Sequence, residues 1–471
     1  MAERIRTGQI SSLELVRAHL NQIERVNPSI NAAVEVLAET AQQAAKTADQ
    51  KLAAGERCGR LHGVPFSVKD SIDVKGTKTT AGTLGRQNAT PADRDATLVA
   101  RLRAAGAIPI AKTNLPDLLF SFETANLIYG RTNNPYDVTR TPGGSSGGES
   151  ALLAACGSPL GLGSDALGSV RIPAAFCGVA SIKPTSGRLP RTGHVPPAGG
   201  WIEALWQIGP MARRVEDLVL AMELLARPDA EDFTSPPVAL QAAPDFRTLR
   251  AAFFTFNGLV RCTQPVQDAV RSCAEFLAKT GVAIEEARPS RLEEAYALEL
   301  ALLGADGAEG IDSYLRDAGS EPVHPFLTAF VDHFRPHRAD APEFARTWAQ
   351  WDNYRSSMRQ FFNRYDVVVC PVYTQAALEH GGSLNESNFK GFSYTMAWNL
   401  AGAPAATVRC AGDGALPINV QVVAPPWQDL TALTVCLALE EEFGGWRAPG
   451  PTVFQAAGTK STSTGEGTSS F

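Results

Sequence analysis

The chain has 471 residues, and its 43 Lys and Arg residues against 49 Asp and Glu residues give a net charge of −6. Hydrophobic residues make up 44% of the sequence and charged residues 20%, a balance typical of a soluble globular protein that buries a large core. Lysine and arginine form no long run, which argues against nucleic acid or an anionic membrane as the main partner.

Targeting and metal-binding patterns are missing from the sequence. The first residues are charged and contain no apolar core of a secretory signal. No apolar run reaches the ~18–20 residues that a membrane-spanning helix needs. The eight cysteines include no close C-x-x-C pair, and the seven histidines lack metal-ligand spacing. We therefore expect a cytoplasmic protein with reduced thiols, no membrane span, no metal and no cofactor.

Helix and strand signals alternate along the first part of the chain. Ser11 and Glu14 have the spacing of a capping box, in which side chain and backbone satisfy each other at a helix start. Apolar neighbours favour burial of Lys69, and burial lowers the pKa of a lysine because the charged form is poorly solvated. In chain order, the pattern predicts a helix from Ser11, a helix over 32–54, a strand that ends near Lys69, a helix over 96–105, a strand over 107–112 and a short helix over 115–120.

The alternation continues to the C-terminus and favours an α/β fold with a largely buried sheet. No linker divides the sequence, so we expect one domain over 1–455 and a disordered polar tail over 456–471. In chain order, the pattern predicts a helix over 215–225, a loop over 226–244, a strand over 249–256, a helix over 266–279, a strand over 282–286, aromatic-containing helices over 290–363, strands over 366–370 and 418–423, and a helix over 430–443.

The stretch 141–185 is rich in glycine and places serines on glycine-rich turns. Serine hydroxyls with backbone amides around them suit acyl transfer, which needs a nucleophile and donors for an oxyanion. G-x-S-x-G occurs in two overlapping frames, centred on Ser145 and Ser146, and an α/β-hydrolase elbow would need Asp and then His further along. A further alternative to an acyl-transfer site is that these glycine-rich turns have no catalytic role. A phosphate-binding G-x-x-x-x-G-K-S/T pattern is absent.

Several separate blocks resemble the amidase signature family, in the order in which that family carries them. The segment FSFETANLIYGRTNNPYD over 120–137 is similar to the fatty-acid-amide-hydrolase branch. The resemblance covers nearly the whole chain and implies a mixed, mostly parallel central β-sheet covered by helices on both faces. The other blocks are GQISSLELVRAHLNQIERVNPSINAAV over 8–34, GVPFSVKDSIDVKG over 63–76, AKTN over 111–114, PGGSSGG over 142–148, GSVRIPAAFCGV over 168–179, KPTSGRLP over 183–190, LAGAPAATV over 400–408 and LPINVQVVA over 416–424.

The resemblance implies a Ser–Ser–Lys triad, a variant of the nucleophile-and-base arrangement. Ser169 matches the nucleophile, Ser145 a bridging serine in a cis peptide bond, and Lys69 the base. The backbone N–H groups of the matching oxyanion loop belong to Ala166, Leu167, Gly168 and Ser169. The matching supporting residues are Ser146, Asp165 and Arg171, and the matching substrate-contacting residues are Leu119, Phe120 and Ser121.

One position departs from the family pattern. Leu167 stands where the family usually has glycine, and a side chain there restricts the backbone of the loop. We expect it to narrow the space for the acyl or leaving group. The resemblance further implies a catalytic block over 61–228 and a variable helical insert over 290–363 that faces the substrate.

The implied activity is hydrolysis of C–N bonds, other than peptide bonds, in small and moderately apolar acyl or aryl amides. An acyl-serine intermediate would carry the reaction. Carbamate (urethane) or ester hydrolysis is one alternative, because both pass through similar tetrahedral intermediates. A glutamyl-tRNA amidotransferase A-like subunit is a second alternative, and a non-catalytic binding protein is a third. The expected partner is a small-molecule substrate, and the resemblance is compatible with a homodimer.

Overall fold

An eleven-stranded mixed sheet runs through the molecule. The structure is a computed structural model that describes residues 1–197 and 200–450. The strands are β1 (Ala33–Val36), β2 (Pro65–Lys69), β3 (Ile108–Thr113), β4 (Ala125–Asn126), β5 (Gly130–Arg131), β6 (Leu160–Asp165), β7 (Ala180–Lys183), β8 (Gln207–Ala212), β9 (Arg250–Phe253), β10 (Ala283–Glu286), β11 (Val367–Pro371), β12 (Ala405–Asp413) and β13 (Leu416–Val423). Strands β4 and β5 form a separate two-stranded ribbon.

The strand order in the sheet is β1-β3-β2-β6-β8-β7-β12-β13-β11-β9-β10. Parallel pairing occurs in two blocks, β3-β2-β6 and β11-β9-β10. The other neighbouring pairs are antiparallel, and they form the centre of the sheet and the β1 edge. The sheet is therefore mixed, and its first parallel block carries the candidate site.

Helices cover both faces of the sheet. Along β8, Ile208 and Ala212 pack in one apolar cluster with the helices over 97–104, 215–225, 264–279 and 429–443. Met211 packs in another cluster with the helices over 12–30, 38–53, 147–154 and 171–176. Side chains alternate between the two faces of a strand, so the two clusters lie on opposite faces. The helices are α1 (Ala2–Arg6), α2 (Ser12–Ile30), α3 (Ala38–Ala53), α4 (Thr97–Ala104), α5 (Gly147–Ala154), α6 (Arg171–Phe176), α7 (Val215–Leu225), α8 (Gln264–Lys279), α9 (Ala295–Leu303), α10 (Glu309–Ala318), α11 (Pro325–Asp332), α12 (Ala341–Phe362), α13 (Glu386–Gly391), α14 (Ser393–Leu400) and α15 (Asp429–Phe443).

The predicted α/β class, with a mixed sheet between helical layers, is confirmed. The capping box is also present: the Glu14 amide donates to Ser11 Oγ at 3.1 Å, and the Ser11 amide donates to Glu14 Oε2 at 2.7 Å. The region 290–363 is helical and contains α9 to α12. In the described part of the chain, no helix combines the length and the apolar character needed to cross a bilayer.

Two predicted helices differ from the structure. The helix expected over 32–54 begins only at Ala38, because Ala33–Val36 pairs with β3 as an edge strand, and sheet pairing overrides local propensity. The helix expected over 115–120 is a single 3₁₀ turn over Asp117–Leu119. Strands β6 and β8 escaped prediction because their glycines and Pro210 weaken a strand pattern. The predicted tail over 456–471 lies outside the described residues.

Candidate active site

Lys69 is the last residue of β2 and is completely buried. Phe66 and Val68 enter the apolar cluster on one face of the sheet, so Ser67 and Lys69 point to the other face. Lys69 Nζ lies 2.7 Å from Ser145 Oγ and 3.1 Å from Ser164 Oγ. The contacts of this amine are therefore neutral hydroxyl groups.

Burial lowers the pKa of Lys69 well below the usual value for lysine, although the more distant carboxylates of Asp165 and Glu149 oppose this shift. Burial also raises the pKa of Glu149 to about 7, against hydrogen bonds from Ser67 and from Thr113, whose Oγ1 donates to Glu149 Oε2 at 2.7 Å. A buried amine without a carboxylate in contact favours its neutral form. In that form Lys69 has a lone pair that can accept a proton.

The loop that holds Ser145 is packed tightly against a neighbouring segment. The Gly144–Ser145 peptide bond is cis. A Cβ atom at Gly144 would lie 2.6 Å from the carbonyl oxygen of Ser121 and 2.7 Å from the amide nitrogen of Glu123, so only glycine fits there. Helix α5 begins directly after Ser146. The predicted cis bond is thus present, between the two residues for which it was expected.

Ser146 joins the two serine loops. Its amide donates to the carbonyl of Ser169 at 3.0 Å, and its hydroxyl lies 3.3 Å from both the amide nitrogen and the carbonyl oxygen of Ser164. Ser146 therefore hydrogen-bonds within the site, and the backbones of Ser145 and Ser169 are held close together. The structure brings these serines and Lys69 into one cluster.

Ser169 lies between β6 and α6, and 7% of its surface is exposed. Within the described residues, its hydroxyl makes no hydrogen bond. The preceding Gly168 has φ +126°, and a Cβ there would lie 2.3 Å from Thr395 Oγ1. Glycine is therefore needed next to the candidate nucleophile, both for the backbone conformation and for space.

Asp165 and Arg171 brace the loop between them. Arg171 Nε donates to Asp165 Oδ2 at 2.9 Å and Arg171 Nη2 donates to Oδ1 at 3.0 Å, with both side chains buried. Although burial opposes ionisation, this guanidinium and the amide of Asn399 hold the pKa of Asp165 well below its usual range. Asp165 also accepts from the amides of Gly168 at 2.8 Å and Val170 at 3.1 Å. The carboxylate thus fixes the backbone on both sides of Ser169.

The four amides predicted for an oxyanion hole fall into two groups. The Gly168 amide is already bound to Asp165 Oδ1. Among the described residues, the amides of Ala166, Leu167 and Ser169 have no hydrogen-bond partner. Three donors are therefore available to a new acceptor, and the fourth braces the loop.

Helix α14 contributes contacts that sequence reasoning missed. Asn399 Nδ2 donates to Asp165 Oδ1 at 3.0 Å, and Asn399 Oδ1 accepts from Arg171. Thr395 Oγ1 donates to the carbonyl of Leu167 at 2.6 Å. The block LAGAPAATV begins one residue after Asn399, so a motif next to Asn399 could have drawn attention to it. Ser164, which contacts Lys69, carried no signal of its own beyond its place before Asp165.

The three predicted substrate-contacting residues have different surroundings. Ser121 is buried, accepts from the Glu123 amide at 3.0 Å and lies against Gly144. Leu119 has φ +69° and packs at the edge of another apolar cluster. Phe120 lines a cavity of about 260 Å³. The other lining residues are mostly apolar: Leu118, Pro196, Gly200, Ile202, Leu303, Asp306, Gly310, Ile311, Tyr314 and Phe334.

Leu167 packs into an aromatic cluster that adjoins this cavity. The cluster includes Phe122 and Phe330, and it shares Phe120 and Phe334 with the cavity wall. Leu167 is 6% exposed. Its side chain is therefore buried in a cluster to which the helical insert contributes, and its backbone amide remains without a partner in the described structure.

The hydrolase-elbow alternative can be compared with this geometry. No described histidine hydrogen-bonds to Ser145 or Ser146, and the partner of Ser145 Oγ is Lys69. The described part of the chain also holds no group of three His, Cys, Asp or Glu side chains that could bind a metal ion. The clustered hydroxyls, the lysine and the free amides form an arrangement suited to acyl transfer.

Comparisons with known proteins agree with this arrangement. A family profile described as Amidase matches residues 14–433. Fatty-acid amide hydrolase 2-A of Danio rerio is 31% identical over 490 residues, which cover 97% of this chain and 90% of the relative. The A subunit of the glutamyl-tRNA(Gln) amidotransferase of Carboxydothermus hydrogenoformans is 31% identical, covering 94% and 96%. The structure of 6-aminohexanoate cyclic dimer hydrolase with substrate superposes with a TM-score of 0.84 at 27% identity, covering 95% and 97%.

Proposed function

Because this chain belongs to the amidase signature family and is a hydrolase of C–N bonds other than peptide bonds, we propose that it cleaves small, moderately apolar acyl or aryl amides through an acyl-Ser169 intermediate. The observation that carries the proposal is the buried Lys69 amine, 2.7 Å from the hydroxyl of Ser145. Ser145 in turn belongs to the loop that is hydrogen-bonded to the backbone of Ser169.

The proposed proton path runs from Ser169 through Ser145 to Lys69. The neutral amine takes the proton of Ser145, and Ser145 takes the proton of Ser169 as its oxygen attacks the carbonyl carbon. The proton returns along the same path to the leaving nitrogen, the C–N bond breaks, and the amine departs. Water then attacks the acyl-Ser169 ester, with Lys69 again as the base, and releases the carboxylic acid.

The developing oxyanion would be bound by the amides of Ala166, Leu167 and Ser169. These donors are free in the described structure, and loss of a single donor of this type typically lowers the rate ~10²–10³-fold. Asp165 and Arg171 would act as supports by fixing the loop. In this proposal the Gly168 amide, which we predicted as a fourth donor, contributes through its bond to Asp165.

The apolar cavity supports a substrate with an apolar acyl or aryl group. Phe120 and Phe334 belong both to its wall and to the aromatic cluster that contains Leu167, so packed side chains connect the cavity to the oxyanion loop. Two of the similar proteins carry the names of aliphatic amide substrates, a fatty-acid amide in one and a cyclic dimer of 6-aminohexanoate in the other. A carbamate or an ester with the same apolar group would fit the same chemistry.

A second candidate is the role of the relatives that belong to glutamyl-tRNA amidotransferases. Relatives with that name match this chain with 28% to 32% identity over more than nine tenths of its length, a range that includes the 31% of the fatty-acid amide hydrolase. Such a protein would hydrolyse an amide productively only with partner proteins and charged tRNA. A self-sufficient hydrolase would turn over a small amide alone, and a non-catalytic binding protein would do neither.

Labelling with a fluorophosphonate probe, followed by a panel of amides, carbamates and esters, tests the proposal. We expect wild type to label and to hydrolyse p-nitroacetanilide or a related aryl amide, and Ser169→Ala to do neither. Ser181→Ala is the matched control, because Ser181 is a buried serine of β7 whose hydroxyl contacts Thr407 outside the site. Equal labelling of wild type and Ser169→Ala would disprove the nucleophile. Labelling without turnover of any small substrate would favour the amidotransferase role.

A further inference from the structure

Hydrogen bonds continue from the Lys69 amine in the direction away from Ser145. Lys69 Nζ lies 3.1 Å from Ser164 Oγ, and Ser164 Oγ lies 3.1 Å from His194 Nε2. Ser164 is 4% exposed and His194 is 6% exposed. None of the proposed steps uses His194, although it is connected to the candidate base through a single hydroxyl group.

The backbone fixes His194 beside the end of β2. His194 forms an antiparallel bridge with Ile72, and the neighbouring Val195 amide donates to the carbonyl of Ser71 at 2.7 Å. The imidazole ring packs on the indole of Trp206, with 4.6 Å between ring centroids. Because Ile72 lies only three residues after Lys69, these contacts hold the imidazole in a fixed position relative to Lys69.

The surroundings of His194 determine which of its nitrogens carries the proton. Nδ1 lies 2.9 Å from the carbonyl oxygen of Pro196, which can only accept, so Nδ1 is the donor. Burial lowers the pKa of His194 to about 3, so the ring is neutral at ordinary pH. Nε2 is consequently an acceptor, and it faces the hydroxyls of Ser164 and Ser71, each at 3.1 Å.

This tautomer gives the Ser164 hydroxyl an acceptor at His194 Nε2, which it shares with the hydroxyl of Ser71. A hydroxyl has one proton, and when that proton points to His194 the oxygen faces Lys69 as an acceptor. A neutral amine has two N–H donors and one lone pair. If one N–H donates to Ser164, the lone pair is left for the proton of Ser145. Without an acceptor at His194, Ser164 can instead donate into the lone pair and block it.

We propose that His194 is a positioning residue that, through Ser164, keeps the lone pair of Lys69 directed at Ser145. This inference rests on the proposed function, in which Lys69 is the base. The titratable or charged groups that face His194 are Lys69 and Arg191. Arg191 is paired with Glu203 and Asp232, whereas Asp165 and Glu149 are the carboxylates that face Lys69.

The test is the pH profile of kcat/KM for p-nitroacetanilide in wild type, His194→Phe and His194→Gln. In wild type kcat/KM falls as the pH drops through the lowered pKa of Lys69, because the protonated amine accepts no proton. In His194→Phe we expect the plateau to fall about tenfold, a part of the ~10²–10⁴ that a general base contributes. We also expect the acid limb to move to lower pH, since protonated Lys69 loses an oriented acceptor. In His194→Gln the amide oxygen can accept a hydrogen bond from Ser164, so both the plateau of kcat/KM and the position of the acid limb should return to their wild-type values.

Further variants keep the test decisive. His62→Phe is the matched control, because His62 is a buried histidine whose Nε2 contacts the carbonyl of Ala48, and its loss should leave the acid limb unchanged. Ser164→Ala removes the hydroxyl through which His194 would act, so adding His194→Gln or His194→Phe to it should shift the acid limb of kcat/KM no further. Because this comparison uses double variants, misfolding of one single variant does not decide the outcome. A lower plateau with an unmoved limb, or a Gln variant equal to the Phe variant, would overturn the role of His194. Full activity in Lys69→Met would instead overturn the proposed function itself.

Discussion

Lys69 and Lys112 are two fully buried lysines on neighbouring parallel strands, and only one has a carboxylate in contact. Lys112 Nζ lies 3.0 Å from Asp70 Oδ1, and it also donates to the Lys78 carbonyl at 3.0 Å and to Thr79 Oγ1 at 3.1 Å. The amine of Lys69 meets hydroxyl groups instead. Burial is common to both lysines, and the difference between them is whether a contacting carboxylate compensates the charge of the amine.

Asp70 makes this contrast sharper because it directly follows Lys69 in sequence. Successive side chains of an extended chain point in opposite directions, which turns Asp70 away from the Lys69 amine. Its carboxylate is held by Lys112 and by the Thr80 hydroxyl at 2.5 Å. The carboxylate adjacent in sequence thus pairs with Lys112 and leaves Lys69, the proposed base, without a contacting counter-ion.

The largest effect is expected when the Lys69 amine is removed. Lys69→Met keeps an unbranched apolar chain in the same volume but supplies no base, so kcat/KM for p-nitroacetanilide should fall ~10⁴-fold or more. Because a buried amine with a lowered pKa costs folding free energy, the same variant should unfold at higher denaturant concentration than wild type. Steady-state kinetics and urea unfolding of the same preparations measure both. If Lys69→Met lost activity and was also less stable than wild type, the contrast drawn between Lys69 and Lys112 would be wrong.

Lys112→Met should show the opposite pattern. It leaves the Asp70 carboxylate buried without its cation, and breaking a buried pair in this way costs about 3–5 kcal/mol of the free energy of unfolding. Activity per folded molecule should stay within about tenfold of wild type, since Lys112 touches none of the proposed reacting groups. The double variant Lys112→Met/Asp70→Asn, which removes both charges, should recover part of the loss in urea unfolding. If Lys112→Met abolished turnover while remaining folded, the assignment of Lys69 alone as the base would be wrong.

The sequence predicted reacting groups for the candidate site, but it did not predict what surrounds them. Lys69, Ser145 and Ser169 lie in separate blocks, and their identification depended on recognisable motifs. The brace from Asn399 depends on packing of α14 against a loop more than 200 residues earlier, which local patterns do not encode. The edge strand at Ala33 was missed for a related reason: it exists because β3 offers a pairing edge.

Leu167 illustrates what a motif can and cannot give. The departure from glycine was visible in the sequence, but the aromatic cluster that buries Leu167 was not, and Phe330 and Phe334 of the helical insert belong to that cluster. Those residues were predicted only as parts of amphipathic or aromatic helices. Packing partners of this kind follow from tertiary structure, since helical periodicity identifies a buried face without identifying what covers it.

The smallest expected effect comes from the carboxylate that faces Lys69 at longer range. While it is ionised, Glu149 favours the protonated form of Lys69, so Glu149→Gln should lower the pKa of Lys69 further and move the acid limb of kcat/KM to lower pH. The shift should be a fraction of a pH unit, because the interaction is indirect and burial dominates. Glu299→Gln is the matched control, since Glu299 is equally buried and faces Arg171 and Asp165. A shift to higher pH in Glu149→Gln, or an equal shift in both variants, would mean that distant carboxylates do not tune Lys69 as the comparison with Lys112 requires.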